Sequence, residues 1–473
     1  MSDPESYDAV VVGSGPNGLA AGVTLAQKGL SVVIFEARGN VGGGTQTAEI
    51  TLPGFRHDLF SAIHPLAVTS PFLRTLPLAQ YGLEWVHPEA PLAHPLDDGT
   101  AVLLDRSVDV TVETLGKDGP SYRNLIGPLV SHWNELAVDL LRPLGLPHHP
   151  MVFFRFAFPA IRSVKGLAHS RFDGKRARAL FAGLGAHSIL PLEEAGSAAV
   201  GLVVCASAHA VGWPMAKGGS QCIAYAMSEY FKSLGGRIVT SRPIGSVDEL
   251  PRAQAILLDV TPRQILSMAP LLPAGYRRRL ERYAYGPGAF KVDWALDGPI
   301  PWKAAECQRA ATIHLGGTFE EVASAESKAF KNEHPDKPFV ILTQQSLFDR
   351  TRCPKDKHTA SAYCHVPNAS TFDMTERIEA QVERFAPGFR DLILARHTMS
   401  PVEIAQRNAN YVGGAITGGT RNLRQFAGTI IKGNPYSTPM RGMYVCSSST
   451  PPGAGVHGMC GYYAALSAVH DIF

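Results

Sequence analysis

The first forty residues of the chain carry the pattern that most limits its fold. A short apolar, β-branched run, Ala9-Val-Val-Val12, is followed by the glycine-rich turn Gly13-Ser-Gly-Pro-Asn-Gly18. The stretch from Leu19 to Gln27 is rich in Ala and Leu and predicts a helix that ends at Gly29. A second β-branched run, Ser31 to Glu36, comes next. Strand, glycine turn, helix and strand within about thirty residues predict a βαβ unit and a parallel sheet.

The glycines and the acid of this unit indicate a dinucleotide site. In Gly13-x-Gly15-x-x-Gly18 the first glycine permits a tight turn, and the second lets backbone N–H groups approach a pyrophosphate. The third lets the helix pack closely on the strand, with its N-terminus aimed at the anion. Glu36 lies 36 − 18 = 18 residues further on, where a carboxylate can accept hydrogen bonds from ribose hydroxyls and would repel a 2′-phosphate. The alternative is a glycine turn in an ordinary α/β domain, and the register of all four features favours the dinucleotide.

A second glycine-rich segment, Ala37-Arg-Gly-Asn-Val-Gly-Gly-Gly-Thr45, follows directly. Its Arg38 can pair with phosphate, and its glycines let the backbone lie close to the second half of a cofactor. On Glu36, Arg38 and Gly42-Gly43 the chain resembles the extended FAD fingerprint of amine oxidases and phytoene desaturase-type flavoenzymes. The resemblance implies FAD as the cofactor. It implies these binding residues in the N-terminal part: Gly13, Gly15, Pro16, Asn17, Gly18, Glu36, Ala37, Arg38, Gly42, Gly43, Gly44 and Thr45.

The C-terminal segment Tyr444-Val-Cys-Ser-Ser-Ser-Thr-Pro-Pro-Gly-Ala-Gly-Val456 resembles the closing flavin motif of the phytoene desaturases. In that family the loop crosses the ribityl chain, and the next helix points its N-terminus at the flavin, where reduction builds negative charge. The resemblance implies that Ser447, Ser448, Gly455 and Val456 bind the cofactor. Ser448 stands where most members of the family have an acid, so it offers the ribityl chain a neutral hydrogen-bonding group.

The middle of the chain is similar to the segment with which this family returns to its nucleotide-binding domain. It contains a predicted helix over 221–234, capped by Ser220, and predicted strands at Arg237–Thr240 and Ala255–Asp259. In relatives the position of Ile244 contacts adenine through its backbone, and the resemblance implies the same contact here.

These segments together predict an α/β fold, in which a discontinuous Rossmann-type FAD-binding domain carries an inserted α+β substrate-binding domain. We assign residues 1–70, 213–265 and 405–473 to the FAD-binding domain, and residues 71–212 and 266–404 to the substrate-binding domain. Within these, we expect a mostly helical region over 107–212, a half-buried strand at Thr359–Val366, a helix at Thr375–Phe385, a strand at Met443–Cys446 and a final helix from Val456.

Composition limits the partners. The chain has 44 basic and 41 acidic residues, a net charge of 44 − 41 = +3, which argues against a nucleic acid because phosphate binding needs clustered surplus cations. Its seven cysteines form no C-x-x-C pair, which excludes a cysteine zinc site or a redox pair of that spacing and suits a cytoplasmic, reducing compartment. No run of 18 apolar residues occurs, so we expect at most peripheral contact with a membrane.

One segment mixes aromatic and basic side chains. From Met151 to Lys165 it has four phenylalanines together with Arg155, Arg162 and Lys165. Such a segment could lie in a bilayer interface and admit an apolar substrate. The alternative, which we favour from the sequence, is a helix or lid that lines the substrate region and has its aromatic side chains in the core.

The sequence has no fixed catalytic motif and no H-E-x-x-H pattern, so we assign no metal. The resemblance places His457 beside the flavin, where it could orient substrate or steady the charge of the reduced cofactor; the alternative is a plain residue at a helix start. His64 could face the same cavity. Tyr411 and Tyr462 are similar candidates.

The resemblance implies an enzyme that dehydrogenates a lipophilic small molecule, such as an isoprenoid- or carotenoid-like compound or a cyclic ketone. A hydride would pass from a C–H bond to flavin N5 and the electrons then to oxygen or a quinone. A flavin-dependent double-bond reductase or isomerase, an amine oxidase, and a non-enzymatic flavoprotein-like scaffold stay open as alternatives. The sequence leaves the natural substrate, the direction of the reaction and the oligomeric state open.

Overall fold

The predicted βαβ unit is present at the start of the chain. In the computed structural model, which describes residues 6–425 and 433–473, it consists of β1 (Ser6–Val12), α1 (Pro16–Ala26) and β2 (Val32–Phe35). Pro16 opens the helix, where its missing N–H costs nothing, and Gly29, with a φ of 79°, lets the chain turn back. The last four residues of β1 are buried, as expected for a strand covered on both faces.

The remaining strands are β3 (Thr47–Glu49), β4 (Arg56–Asp58), β5 (Trp85–Val86), β6 (Ala90–Pro95), β7 (Ala101–Leu104), β8 (Met215–Ala216), β9 (Arg237–Val239), β10 (Arg252–Leu258), β11 (Gly288–Leu296), β12 (Ala310–Leu315), β13 (Val340–Thr343), β14 (His358–Val366), β15 (Ile393–Met399) and β16 (Met443–Val445). The remaining α-helices are α2 (Pro65–Thr69), α3 (Val108–Thr114), α4 (Gly119–Ser131), α5 (Trp133–Leu140), α6 (Pro150–Ala160), α7 (Val164–Arg171), α8 (Lys175–Ala186), α9 (Ala198–Val211), α10 (Gln221–Ser233), α11 (Pro262–Met268), α12 (Ala274–Glu281), α13 (Phe319–Phe330), α14 (Thr375–Phe385), α15 (Pro401–Arg407) and α16 (Met459–Ile472).

The first sheet is five-stranded and parallel throughout, in the order β16-β10-β1-β2-β9. Its strands come from three separate stretches of the chain, so the nucleotide-binding fold is discontinuous. The predicted strands at 237–240 and 255–259 are confirmed as β9 and β10. Because all five strands are parallel, the carboxyl ends of β1, β2 and β10 meet at one edge of the sheet, where Rossmann-type folds bind their ligands.

The second sheet has seven strands in the order β15-β11-β14-β13-β12-β6-β7. Its neighbours are antiparallel except for the parallel pair β12–β6. One hydrophobic cluster packs helices such as α4, α8 and α9 against it, and another places α14 on its opposite side. The chain is therefore a mixed α/β protein with a Rossmann-type domain, and the predicted fold class is confirmed. The domain boundaries stay predictions.

Of the predictions for single helices and strands, some are confirmed and others are wrong. The helix at Thr375–Phe385 is confirmed, whereas the strand predicted as half-buried, β14, is buried along both faces except at Tyr363. Ser220 does not cap α10 with its side chain, because its hydroxyl donates to Asp58 Oδ1 at 3.0 Å instead. The final helix begins at Met459, after the glycine at 458, and not at Val456.

The prediction that the aromatic side chains between Met151 and Lys165 lie in the core is wrong for most of them. It forms α6 and the turn after it, in which the side chains of Met151, Phe154, Phe158 and Ile161 are 75%, 50%, 70% and 58% exposed. Phe156 alone of the four phenylalanines is buried, at 6%. The period of the helix explains the difference, because Phe154 and Phe158 share the face opposite to the one that packs on α9. Among the residues described, no helix is long and apolar enough to cross a bilayer.

Candidate cofactor and substrate site

The two glycine-rich segments meet at the carboxyl edge of the parallel sheet. A Cβ at Gly18 would lie 2.0 Å from the carbonyl oxygen of Gly13, so a side chain there would force α1 away from β1. Gly43, with a φ of 52°, approaches the turn so closely that a Cβ would lie 2.8 Å from Gly15 Cα. In these contacts backbone packs against backbone without intervening side chains, so N–H groups of the turn can approach a phosphate.

Glu36 is held by the turn in front of it. Its Oε2 accepts hydrogen bonds from the Ser14 N–H at 2.9 Å and the Ser14 hydroxyl at 2.5 Å, and its Oε1 accepts from the Arg38 N–H at 2.9 Å. The carboxylate is thus fixed and still has lone pairs for two ribose hydroxyls. The Arg242 N–H donates to the Glu36 carbonyl at 2.9 Å, which brings the segment with Ile244 to this end of the site. The Arg38 guanidinium donates to the carbonyl of Gln406.

The sequence analysis did not predict Asp259 as a site residue. Its position directly after a buried strand could have indicated it. Its Oδ2 accepts a hydrogen bond from the Gly18 N–H at 2.9 Å, and a Cβ at Gly15 would lie 2.8 Å from the same oxygen. Burial, helped by the charge of Glu36 and opposed by the hydrogen bond from Gly18, raises the pKa of Asp259 to about 8. The carboxyl is therefore mostly protonated at neutral pH, so it does not repel an anion on the turn.

The C-terminal loop crosses the same edge. The Cys446 N–H donates to the Leu258 carbonyl at 2.9 Å, and the Thr450 hydroxyl donates to the carbonyl of the fully buried Ser447 at 2.8 Å. A Cβ at Gly418 would lie 2.2 Å from Ser448 Oγ, so a glycine is needed beside that hydroxyl. Ser448 Oγ makes no hydrogen bond with another residue of the described part of the chain, which leaves it available to a ligand.

The loop ends at α16, whose start is packed against α1. A Cβ at Gly461 would lie 1.8 Å from the Asn17 carbonyl oxygen, so the N-termini of both helices reach one place. His457 is 1% exposed, its Nδ1 accepts from the Met459 N–H at 3.0 Å, and burial lowers its pKa to about 4. His457 is thus a neutral ring that fixes the helix start, and the catalytic role predicted for it stays a prediction. Val456 and Gly455 precede it in the loop.

His64 lies at the start of α2, close to the second glycine-rich segment, because the Ser61 N–H donates to the Gly44 carbonyl at 3.2 Å. Its ring is 2% exposed, and its Nε2 has no hydrogen-bond partner in the described structure. Burial lowers the pKa of His64 to about 4. A neutral, unpartnered ring nitrogen at this point can accept from or donate to a ligand. Its catalytic role also stays a prediction.

The two tyrosine candidates lie in different surroundings. The Tyr411 hydroxyl is so close to the second glycine-rich segment that a Cβ at Gly44 would lie 2.3 Å from it, and its ring packs 5.1 Å from that of Phe60. Tyr462 lies on α16, and its ring packs 5.0 Å from that of Phe72. Of the two, Tyr411 therefore lies at the cofactor segment.

A charged pair on β11 was also missed. Lys291 Nζ pairs with Asp293 Oδ1, and His57 Nδ1 lies 3.7 Å from the same oxygen. Burial raises the pKa of Asp293 to about 6 although Lys291 opposes it, and its Oδ2 has no partner in the described structure. Ala289, on the same face of the strand, belongs to the hydrophobic cluster with Tyr411. The signal in the sequence is the alternation of charged and apolar residues from 290 to 294, which places both charges on one face.

The residues at this edge fit FAD. Glycines without room for a Cβ and the two converging helix N-termini suit a pyrophosphate, and Glu36 suits a ribose. Asn17 Oδ1 is buried without a hydrogen-bond partner in the described residues, as expected at a site that a ligand completes. FAD supplies hydride acceptance at flavin N5 when bound. No group of three or more potential metal ligands is found in the part of the chain that the structure describes.

Comparisons with known proteins agree with this geometry. A family model described as an NAD(P)-binding Rossmann-like domain matches residues 11–75. The chain is 25% identical to the mouse pyridine nucleotide-disulfide oxidoreductase domain-containing protein 2, over 98% of this chain and 94% of the mouse protein.

Two solved structures show the same fold. A putrescine oxidase bound to putrescine has a TM-score of 0.65 and 18% identity, covering 98% of this chain and 99% of its own. A fatty acid isomerase from P. acnes that produces CLA has a TM-score of 0.58 and 15% identity, covering 99% of each chain. At these identities the two structures show the fold alone. The family model and the mouse relative support an oxidoreductase with a Rossmann-type domain, and none of these comparisons singles out the phytoene desaturases.

Proposed function

We propose that the chain is an FAD-dependent dehydrogenase that desaturates a lipophilic small molecule. The observation that carries the proposal is the convergence of two helix N-termini and two glycine-rich segments on one edge of the sheet, with Glu36 fixed beside them. Bound FAD would supply the acceptor for a hydride from one substrate C–H bond, and the adjacent carbon would lose a proton. A C=C bond forms, and the two electrons leave to oxygen or a quinone.

The protein's own groups bind and orient. The N-termini of α1 and α16 stabilise negative charge, Glu36 accepts from the ribose, and Ser448 offers a hydroxyl to the ribityl chain. Asp259, in its protonated state, lets the pyrophosphate lie on the turn. His64 and Asp293 each keep a buried polar atom unpartnered in the described structure, so each is a candidate to hold the proton that leaves the substrate.

The structural similarity to putrescine oxidase makes an amine oxidase the first alternative. A cationic amine substrate needs acidic groups or an aromatic cage in its cavity. Against the C-terminal loop lies instead Arg421, which donates to the Ala454 carbonyl at 3.2 Å and has no acidic partner among the described residues. We therefore favour a neutral or acidic substrate. A double-bond isomerase remains the second alternative, since the fatty acid isomerase shares the fold, and a non-enzymatic scaffold remains the third.

We also propose that α6 rests on an anionic membrane surface, from which a lipophilic substrate could enter. Met151, Phe154, Phe158 and Ile161 form an exposed apolar face, which we call the α6 face. No acidic residue occurs between Leu140 and Phe172, whereas five lysines and arginines do. An apolar face bordered by cations is the pattern of an interfacial helix on anionic lipids.

The first test is the absorbance spectrum of the purified protein, before and after denaturation, with the released cofactor identified by chromatography. We expect FAD near one per chain, because all the contacts for one dinucleotide are present. Glu36→Ala should release it, since the ribose loses its acceptor; Glu84→Ala, which changes an exposed acid paired with Lys217, should not. A protein that takes up no flavin even after incubation with FAD would contradict the proposal and favour the scaffold.

A further inference from the structure

A cavity of about 1040 Å³ lies between the helices α11 and α12 and the C-terminal loop. The described residues that line it come from four stretches of the chain, within 262–265, 275–284, 420–425 and 434–451. None of the residues predicted to bind FAD is among them, so the cavity is separate from the dinucleotide turn. Its volume is at the upper end of the roughly 300–1,000 Å³ that small-molecule sites have, so it can hold a ligand of nucleotide size.

The lining of this cavity is cationic. Arg279 and Arg282, one turn apart at the end of α12, line it together with Arg424, whereas none of the described lining residues is an acid. None of the three arginines pairs with a carboxylate in the described part of the chain. Glu281, the acid beside them on α12, lies 3.3 Å from Arg277 Nε instead. Three positive charges without a counter-ion therefore border one space, and such a cleft attracts anions.

The position of these arginines is not explained by the helix alone. The carboxyl end of a helix favours nearby cations, which accounts for Arg279 and Arg282 on α12. It does not account for Arg424, which comes from another segment and lines the same cavity. The Arg279 guanidinium lies 4.7 Å from the ring centre of Tyr276, another lining residue, so this charge is held at the wall. Arginines that two segments bring to one cavity indicate an anion site.

Hydrogen bonds join the segments that form the walls. The Ala284 N–H donates to Gln425 Oε1 at 3.0 Å, and Gln425 Nε2 donates to the Ala284 carbonyl at 3.1 Å. On the other side, the Ser449 hydroxyl donates to the Gly418 carbonyl at 2.7 Å. The segment that carries Arg424 is thus fixed both to the turn after α12 and to the C-terminal loop. The cavity is therefore formed before a ligand binds.

The rest of the lining combines apolar and polar side chains. Ile265, Leu280 and Val445 all line the cavity, and they belong to the hydrophobic cluster that packs α11 and α12 on the parallel sheet. Thr420 also lines it, and Thr420 Oγ1 is buried without a hydrogen-bond partner in the described structure. Such a lining suits a ligand in which an anionic group is joined to a less polar body.

We propose that this cavity binds the diphosphate group of a small organic ligand, as a second binding site beside that of FAD. A diphosphate carries more than one negative charge, so it matches three arginines better than a single carboxylate does. Its oxygens also accept the paired N–H groups of guanidinium side chains. A nucleoside diphosphate and a lipid diphosphate share this chemistry, and the organic body distinguishes them.

Calorimetric titration of the purified protein, after incubation with FAD to keep the probes off the dinucleotide turn, tests the proposal. At about 0.15 M salt, which screens weak surface attraction, inorganic pyrophosphate should bind at least tenfold more tightly than inorganic phosphate. Tighter binding of ADP than of pyrophosphate identifies a nucleoside diphosphate, and tighter binding of geranyl diphosphate identifies a lipid diphosphate. If neither body adds affinity, or if phosphate binds as tightly as pyrophosphate, the proposal is wrong.

Substitutions show where the probe binds. Arg279→Gln and Arg424→Gln should each weaken pyrophosphate binding by about tenfold, because each removes a pair of donors from the anion. Arg424→Lys should retain part of the affinity, since it keeps the charge without the fork of two donors. Arg278→Gln is the matched control, because Arg278 is exposed on the same helix and is not among the lining residues. A loss in Arg278→Gln as large as in the other variants would mean attraction by surface charge in general and would overturn the proposal.

Thermal unfolding separates a binding arginine from a structural one. Arg424→Gln removes one of three like charges, so it should leave the melting temperature of the ligand-free protein unchanged or raise it. A structural arginine would lower it by several degrees. Pyrophosphate should raise the melting temperature of the unsubstituted protein and of Arg278→Gln, and raise that of Arg424→Gln much less.

The outcomes are distinct from those of the flavin test. A protein that contains FAD but binds none of the diphosphates refutes the second site and leaves the flavoenzyme standing. If Arg424→Gln loses FAD, the cavity serves the cofactor, and the proposal is wrong. Diphosphate binding that depends on Arg424 in a protein without flavin keeps the second site and loses the proposed reaction.

Discussion

Asp259 lies at the glycine-rich turn, and its effect on a ligand there depends on whether its carboxyl is protonated. It lies beside Gly15 and Glu36, accepts from the Gly18 N–H, and has no cation near it among the described residues that would favour ionisation. Burial and the charge of Glu36 both raise its pKa, to about 8. An ionised Asp259 would place a second negative charge where a pyrophosphate is expected. The protonated acid keeps the hydrogen bond to α1 and avoids that repulsion.

Replacing Asp259 with asparagine should change how stability depends on pH. The pKa is raised in the folded state, so the stability that Asp259 contributes at low pH is lost as the pH rises toward about 8. Asp259→Asn keeps an acceptor for the Gly18 N–H and does not titrate. We expect similar melting temperatures at about pH 4 and a variant that melts a few degrees higher at about pH 8. Scanning fluorimetry measures both, and a difference that does not change with pH would refute the raised pKa.

The helix α6 has several of its apolar side chains on the face that points away from the protein core. Phe156 packs inward, while Phe154 and Phe158, at i and i+4, lie together in solvent. Arg155, on the same helix, is exposed, and Lys165, exposed on the helix that follows, pairs with Glu193 at 3.6 Å. Solvent exposure of so much apolar surface is unfavourable unless a partner covers it, and cations at the border specify an anionic partner.

The α6 face should bind vesicles that contain anionic lipid. We expect co-sedimentation with phosphatidylcholine–phosphatidylglycerol vesicles and much less with phosphatidylcholine alone, because the cations of the segment meet the lipid charge. The double change Phe154→Ser and Phe158→Ser should reduce binding by about tenfold or more, since each buried aromatic ring contributes on the order of 1.5–3 kcal/mol.

Leu271→Ser is the control for the α6 prediction, because Leu271 is 83% exposed and lies outside the α6 face. An equal loss of vesicle binding in both variants would mean nonspecific hydrophobic adsorption and would contradict a membrane-binding surface on α6. Dimerisation through the α6 face, seen as a doubled mass in light scattering that the double variant abolishes, would contradict the membrane proposal.

For the molecule as a whole, a buried ionic network joins distant parts of the chain. Arg352 is fully buried and pairs with Asp58 Oδ2 at 2.9 Å and with Asp349 Oδ2 at 2.8 Å. Asp58 also accepts from the Ser220 N–H at 2.7 Å, and Asp349 from the Gly218 N–H at 2.7 Å. The turn after β13 is thus fastened to β4 and to the start of α10, which connects the second sheet to the Rossmann-type domain.

Loss of Arg352 should destabilise the whole protein. Arg352→Met leaves two buried carboxylates without their cation, and we expect a loss of about 3–5 kcal/mol in the free energy of unfolding. Lys232→Met breaks an exposed pair with Glu229 and should cost no more than about 1 kcal/mol. Urea denaturation followed by circular dichroism measures both. If both variants lost the same free energy of unfolding, the ionic network would not be what joins the second sheet to the Rossmann-type domain.

The same network predicts acid sensitivity. Burial alone would raise the pKa of Asp58 and Asp349, but Arg352 and the hydrogen bonds to each carboxylate outweigh it, and both pKa values are lowered. Because the folded-state pKa is depressed, the stability from these acids is present at neutral pH and lost as the pH falls below the ordinary range for aspartate. Arg352→Met should therefore lose less stability than the unsubstituted protein as the pH falls from about 4 toward about 2.

Some of this protein could be predicted because it depends on neighbours in sequence. The βαβ unit, its glycines and the position of Glu36 lie within one short stretch, and backbone conformation and hydrophobic period decide them locally. The C-terminal loop could be predicted from its resemblance alone. The prediction that β14 is half-buried was wrong, because alternation in sequence does not reveal that helices cover both faces of the strand.

Residues that adjoin along the chain are enough to predict the class of the fold, the glycine-rich turn and the acid beside it. Which distant groups share a site depends on how the chain folds in three dimensions. Asp259 reaches Gly18 across 241 positions, and the segment of Arg421 meets the C-terminal loop through Gly418 and Ser449. The three-dimensional fold also decides which face of α6 is left in solvent. The physical reason is that burial, charge pairing and pKa depend on distances in space, which the local pattern of a chain does not contain.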